Sequence, residues 1–287
     1  MFNRLSHEDI AKLSFENALE TLKTELTPLY TRENTTCIHA LHYSWNGWRS
    51  QAIPLPTSIG QAIEQCSPLW QEDGFQLKQQ SLKADMVQCL FAVEPEITPV
   101  KFTQKVKGRL DHQLRQQGDA IKFSRKVGFR CLGENIRETV NHYVQQQVSR
   151  SDYIDPRYKQ FLAEFTVADS DNDLALPVTK SHGRYWYNIH LVIVVADRKF
   201  PIKREDKLEQ IRTYIPRIAQ KQGSQIAHFS ILPDHIHIAL KGNPEMSPYE
   251  IGLSFMNNLS YVLGFNWTWS NEFYVGTFSE YALSKLR

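Results

Sequence analysis

The sequence is short of several things, and each shortage excludes a class of protein. Its 287 residues include four cysteines, Cys37, Cys66, Cys89 and Cys131, spread singly along the chain with no CxxC pair. A disulfide scaffold or a structural zinc module needs denser thiols, so a reduced, cytoplasmic protein is expected. Charge of one sign is not in excess either: 33 Lys and Arg face 31 Asp and Glu, for a formal net charge of +2. That balance excludes a disordered polyanion and leaves nucleic-acid and small-molecule partners open. The longest apolar run is "LVIVVA" at 191–196, far below the ~20 residues that cross a bilayer, so no membrane partner is expected. The opening "MFNRLSHEDIAKLSFENALETL" reads as an amphipathic helix within an N-terminal extension over 1–34. It lacks the basic-then-apolar layout of a signal peptide.

What the chain does have is length enough for two domains and an internal repeat. A shift of 149 residues aligns 74–114 with the later sequence without gaps: Gly74 falls on Gly223, Leu82 on Ile231, Asp85 on Asp234, Pro95 on Pro244, Pro99 on Pro248, Leu110 on Leu259 and Leu114 on Leu263. "EPEITPVKF" and "NPEMSPYEI" read as the same turn into the same helix. Thr98 and Ser247 are the N-caps, each followed by Pro at the first helical position, and Glu250 completes a capping box with Ser247. Each copy has the order strand, helix, strand, strand, helix. "TTCIHALHYSW" is the first strand of one copy and "YWYNIHLVIVVAD" that of the other. This predicts two α+β units, each an antiparallel sheet backed by helices, over 35–150 and 184–287. Residues 151–183, rich in Asp, Ser and Pro, are expected as a linker.

The copies differ at two places that bear on chemistry. "PDHIHIAL" (233–240) sets His235 and His237 one residue apart in an apolar strand, where the shift places Met86 and Gln88 in the first copy. Alternate strand residues share a face, so the two imidazoles can point at one ion; a structural pair is the competing reading. Conversely, "ENIRETVNHYVQQQVSR" (134–150) continues the first copy as a helix, and the second copy reaches Arg287 without a counterpart. On that helix Tyr143 and Gln147 lie four apart and share a face. The Gln147 carboxamide is a candidate third ligand, with Tyr143 beside the metal. Taken alone, Tyr143 reads equally as a half-buried anchor of its helix. His39 and His42, three apart in "CIHALHY", face opposite sides of a strand and are expected to be structural.

Local charge is less even than the total. From Lys101 to Arg130 there are nine basic residues, Lys101, Lys105, Lys107, Arg109, Arg115, Lys122, Arg125, Lys126 and Arg130, against two acidic ones. A solvated helix face and a phosphate-binding surface both fit such a run. Phe123 and Phe129 interleave with its charges, and "RYWYN" (184–188) and "NWTW" (266–269) add aromatics whose ordinary role is packing.

"SILPDHIHIAL" resembles the HUH motif (histidine, bulky apolar, histidine) of the single-tyrosine transposases of bacterial insertion sequences and of the REP-associated tyrosine transposases. "GENIRETVNHYVQQQ" resembles the tyrosine helix of the same family, with its Tyr-x-x-x-Gln signature. The resemblance covers roughly 35–150 and 184–287. It implies two tandem ferredoxin-like (RRM-like) domains, and His235, His237 and Gln147 holding Mg2+ or Mn2+. It further implies Tyr143 as the nucleophile that cleaves single-stranded, hairpin-containing DNA through a 5′-phosphotyrosine. In the family two identical subunits can complete each other's sites. Here one polypeptide carries one histidine pair and one tyrosine helix, so a fused pseudo-dimer with a single composite site is expected, acting as a monomer or within a higher oligomer. A catalytically silent hairpin-binding regulator is the alternative from another class. A metal enzyme of small molecules is a third, and would need a deep apolar pocket near His235.

Overall fold

A computed structural model describes residues 28–50, 54–119, 123–151, 155–168, 172–198, 202, 204–264 and 269–283. Among them are six α-helices and two mixed sheets of six strands each, an α+β architecture. The strands are β1 (Thr36–Ala40), β2 (His42–Trp48), β3 (Phe75–Leu82), β4 (Met86–Val93), β5 (Val127–Leu132), β6 (Val167–Ala168), β7 (Val178–Lys180), β8 (Gly183–Trp186), β9 (Asn188–Val195), β10 (Gln225–Ile231), β11 (His235–Lys241) and β12 (Trp269–Thr277). The helices are α1 (Ile59–Glu72), α2 (Pro99–Gln116), α3 (Arg137–Arg150), α4 (Pro156–Ala163), α5 (Glu205–Lys221) and α6 (Pro248–Leu263). The first sheet runs β3-β4-β2-β5-β8-β7 and the second β1-β12-β9-β11-β10-β6.

The repeat seen in the sequence is a repeat of structure. The register irregularity of β3 between Leu77 and Gln79 recurs in β10 between Ile226 and His228, 149 residues on. Leu82 pairs with Val87 as Ile231 pairs with Ile236. Gly74 and Gly223 close α1 and α5 at φ of +90° and +73°, a conformation that costs a residue with a Cβ. The expected caps form: Thr98 Oγ1 accepts from the Lys101 amide at 3.1 Å, and Ser247 and Glu250 make a complete capping box.

Three expectations are corrected. Each first strand was read as a single run, but both divide: "TTCIHALHYSW" breaks at Leu41, with β1 in the second sheet and β2 in the first, and "YWYNIHLVIVVAD" breaks at Tyr187, with β8 in the first sheet and β9 in the second. His39 and His42 therefore lie on strands of different sheets. Neither sheet is purely antiparallel: β1 runs parallel to β12, and β8 runs parallel to β5. A parallel pair needs a long connection, and here the rest of the chain supplies it. Residues 151–183, read as a linker, carry α4 and the edge strands β6 and β7. The N-terminal helix falls on 1–27, outside the described residues.

The crossings are reciprocal. The first strand of each unit pairs with the last strand of the other. The Val100 amide donates to the Pro244 carbonyl at 3.1 Å, and the Tyr249 amide donates to the Pro95 carbonyl at 3.0 Å, the same contact made twice with the units exchanged. One continuous apolar core spans both units. It includes the edge-to-face cluster of Tyr43, Phe75, Phe91, Phe102 and Phe129 under α1 and α2, and Ile193, Ile236, Ile238, Phe255 and Leu259 under α5 and α6.

After β5 the chain does not return to its own sheet. Gly133 and Ile136 bridge in parallel to Ala282 and Ser279, and α3 then packs on β10 and β11. A separate apolar cluster holds it there: Val140 and Val144, four apart on α3, meet Ala227 and Ala239 of the sheet together with Leu174 and Phe278. Burying the two valines contributes about 1.5–3 kcal/mol each. Gly133 lets this crossing close, because a Cβ there would collide with the Thr277 carbonyl. Gly133→Ala should lower stability in a urea melt by about 1–3 kcal/mol. Gly108→Ala, inside α2 with nothing near its absent Cβ, should raise it by about 0.5–1 kcal/mol. Equal effects would contradict this account of the crossing.

Candidate active site

The strand period sorts β11 into two faces. Ile236, Ile238 and Leu240 point into the main core, while His235, His237 and Ala239 point at α3. The structure thus brings together the residues that the sequence placed about ninety positions apart. The Tyr143 ring stands edge-on to the His237 ring, centroids 5.4 Å apart, and the His235 and His237 rings are 4.9 Å apart. Tyr143 keeps 40% of its surface exposed, whereas Gln147, one turn on, is buried against the sheet. The helix carries Glu138 in its first turn and Arg150 in its last, each at the end of the helix dipole that favours it.

Hydrogen bonds settle which ring nitrogens are available. His235 Nδ1 lies 2.6 Å from Asp234 Oδ1, and Asp234 Oδ2 accepts from Arg198 at 3.2 Å. Burial pushes the Asp234 carboxyl up, but the bond from His235 and the positive charges of His235 and Arg198 outweigh it and leave the group below its ordinary range. His237 Nδ1 lies 3.1 Å from His190 Nε2. That leaves Nε2 of His237 buried without a hydrogen-bond partner, an orphan that costs free energy unless something meets it. A neutral imidazole with Nδ1 anchored by a neighbour is the arrangement metal-binding histidines adopt. Gln147 Nε2 donates to the Tyr143 carbonyl at 3.1 Å, so the amide nitrogen is used and the amide oxygen is the atom left to meet a cation. The donor set fits a divalent metal, with two imidazole nitrogens and one amide oxygen. No group of three or more His, Cys, Asp or Glu side chains suited to a metal occurs among the described residues.

Sequence reasoning missed four neighbours. His190 of β9 stacks on His237 with centroids 5.3 Å apart and planes 16° from parallel, and also faces Tyr143 at 6.0 Å. Burial pushes its pKa down to about 4. Burial likewise takes His237 well below the usual histidine value, helped by the charges of His190, His235 and Arg198. Tyr274 of β12 faces His190 at 6.0 Å, and burial, with Glu134 and Tyr143 nearby, raises its hydroxyl pKa. Asp234 and Arg198 complete the set. His190 carried the same signal as the histidine pair, a lone imidazole in an apolar strand.

The basic stretch does not form one surface. Lys105 and Arg109 both bond to Asp73. Arg130 is held by Glu280 at 2.6 Å, and the Lys107 ammonium donates to the Ser124 carbonyl at 2.9 Å. Lys101 is exposed in the first turn of α2, where its amide meets the Thr98 cap. Arg125 and Lys126 are exposed and border cavities beside β8, and Lys122 lies outside the described residues. The cavities of 340, 480 and 580 Å³ are not lined by His235. The four cysteines are free.

A histidine pair on a central strand thus faces a tyrosine on a packed helix. Residues 184–287, which carry the histidine strand, match the model of a family described as IS200-like transposase. No curated protein matches the chain. Among solved structures, an unknown protein from Galdieria sulphuraria is 10% identical over 83% of this chain and 95% of its own, with a TM-score of 0.19. Aspartate kinase from Clostridium acetobutylicum is 8% identical over 86% and 45%, TM-score 0.20. A bacterial light-regulated adenylyl cyclase is 11% identical over 78% and 65%, TM-score 0.18. Scores this low bear on neither fold nor function. Among the described residues no helix is long and apolar enough to cross a membrane.

The buried rings generate a pH dependence. Each folded-state pKa lies below the unfolded value near 6.5, so the unfolded chain binds more protons as the pH falls. Stability is then full above about pH 6.5 and declines toward pH 4. Denaturant midpoints of the metal-free protein should fall over that window, and His190→Asn should flatten the decline. An imidazole NMR titration showing His190 protonated at pH 6 would contradict the assignment.

Proposed function

We propose that the chain is a DNA strand-cleaving and rejoining enzyme with one composite active site. Tyr143 is its nucleophile, and His235, His237 and Gln147 are its ligands for Mg2+ or Mn2+. One observation carries the reading: the tyrosine ring and the histidine pair come from different units and stand 5.4 Å apart across the α3–β11 contact. On this reading 35–150 and 184–287 are ferredoxin-like (RRM-like) domains fused as a pseudo-dimer. Residues 1–34 extend the first, and 151–183 connect the two. The substrate is single-stranded DNA with hairpins. Free thiols suit a cytoplasmic setting.

A bound divalent cation supplies Lewis-acid polarisation of the scissile phosphate, so that a hydroxyl of ordinary acidity can attack. The chain does the rest. Val140 and Val144 hold α3 so that Tyr143 projects toward solvent and a strand can reach it. The Tyr143 oxygen bonds to phosphorus as the bond from phosphorus to the 3′-oxygen breaks, and the proton lost by the tyrosine is balanced by one taken up, through solvent, by the departing 3′-oxygen. The products are a 5′-phosphotyrosine and a free 3′-hydroxyl. Attack by a 3′-hydroxyl on the phosphotyrosine reverses the step and joins strands. Asp234 positions His235, and His190 positions His237.

Incubation with a hairpin-bearing oligonucleotide and Mn2+ should give a protein–DNA adduct that survives denaturation. Tyr143→Phe and chelation should abolish it. His235→Ala or His237→Ala should cut its rate at least about 100-fold, and Asp234→Asn should weaken metal dependence about 10- to 100-fold. Binding without an adduct in every metal tried would instead describe a silent hairpin-binding protein.

A further inference from the structure

The face of the first sheet that corresponds to the histidine face has no tyrosine helix on it among the described residues. Met86 and Gln88 occupy the positions of His235 and His237, paired with Trp48 and Asn46 of β2. The segment with Glu280 and Tyr281 covers this face around Arg130. Beyond it lies a cleft of 580 Å³ whose lining includes Trp48, Arg49, Lys126, Gly128, Arg184 and Trp186 and, among the described residues, contains no Asp or Glu. Lys180 at its rim is paired with Glu245 at 3.0 Å. Lys126 and Arg184 are exposed, and Trp48 is 37% exposed.

Both indoles are fixed in advance. The Trp186 ring N–H donates to the Ala175 carbonyl at 2.7 Å, and the Arg130 guanidinium lies 4.3 Å from the centroid of its ring system. Trp48 lies against Gly128, where a Cβ would press on the ring at 3.0 Å. Positioned aromatic rings beside the exposed cations Lys126 and Arg184 match the chemistry that holds unpaired bases and their phosphates: stacking is sequence-tolerant, and the backbone is met by charge. A protein partner would also use Trp and Arg, but the exposed Lys126 and Arg184, with no acidic residue among the described lining, favour a polyanion.

We propose that the vacated site face of the first unit is a docking groove for single-stranded DNA, with Trp48 and Trp186 stacking on bases and Lys126 and Arg184 meeting phosphates. The proposal rests on the reading of the chain as a DNA enzyme and deepens it: the sheet face that lacks the histidine pair grips the substrate.

The test uses the full chain with Tyr143→Phe, so that binding is read without cleavage. The probe is a fluorescent, unstructured oligodeoxynucleotide. Trp48→Ala and the pair Lys126→Glu, Arg184→Glu should each raise Kd about tenfold or more and reduce the salt dependence of the charge variant. Lys221→Glu, on α5, should change Kd less than twofold. Groove variants that bind as tightly as the parent would overturn the proposal, as would weakening that appears only with an unrelated acidic protein as probe. The adduct assay separates the two readings. Adduct formation by the wild type alongside unweakened groove variants sinks the groove alone. Weakened binding with no adduct sinks the chemistry alone.

Discussion

The hydrogen bonding of β5 to β8, and of β1 to β12, is the constraint on which the site depends. Each pair joins the last strand of one unit to the first strand of the other, so neither sheet is complete without both halves of the chain. The consequence is directional. A chain leaving β5 beside the other unit's strands cannot fold its next helix back over its own sheet. It runs past Ser279 and Ala282 and lays α3 on β10 and β11 instead. The helix carrying Tyr143 therefore meets histidines that its own unit does not have. The contact is cemented by few residues, chiefly Val140, Val144, Ala227 and Ala239, so the position of the tyrosine owes more to the strand crossing than to the helix.

Electrostatics at the histidine face follow from burial. His237 and His190 sit where charge is poorly solvated, so both stay neutral near pH 7 with a ring nitrogen able to accept. The Asp234 carboxylate, held below its ordinary range, anchors His235 through Nδ1. An unpartnered nitrogen on His237 is a cost that an apolar residue would remove. A buried nitrogen left without a partner suits a ligand better than a packing residue.

Much of this was legible in the sequence. The repeat at 149 residues, the caps at Thr98 and Ser247, the Pro-Asp turn before His235 and the shared face of Tyr143 and Gln147 all rest on local rules, and the structure repeats them to the residue in β3, β4, β10 and β11. What was not legible depends on partners far away. The break at Leu41 leaves no local mark, because "TTCIHALHYSW" is apolar enough to be one strand; only the pairing of its first half with β12 divides it. The parallel pairs were hidden for the same reason. Lys105 and Arg109 looked like a phosphate surface until Asp73, more than thirty residues away, took both. His190 was legible in principle but lacked a second histidine on its own strand to draw notice.

The central claim is that one chain completes its own site across its two halves, and mixing tests it most directly. A Tyr143→Phe chain lacks the nucleophile, and a His237→Ala chain lacks the ligand. If the tyrosine serves histidines of the same polypeptide, an equimolar mixture of the two variants forms no more adduct than either alone. Recovery of a substantial share of wild-type adduct in the mixture would mean that the tyrosine reaches the histidines of another molecule, and would contradict the intramolecular site.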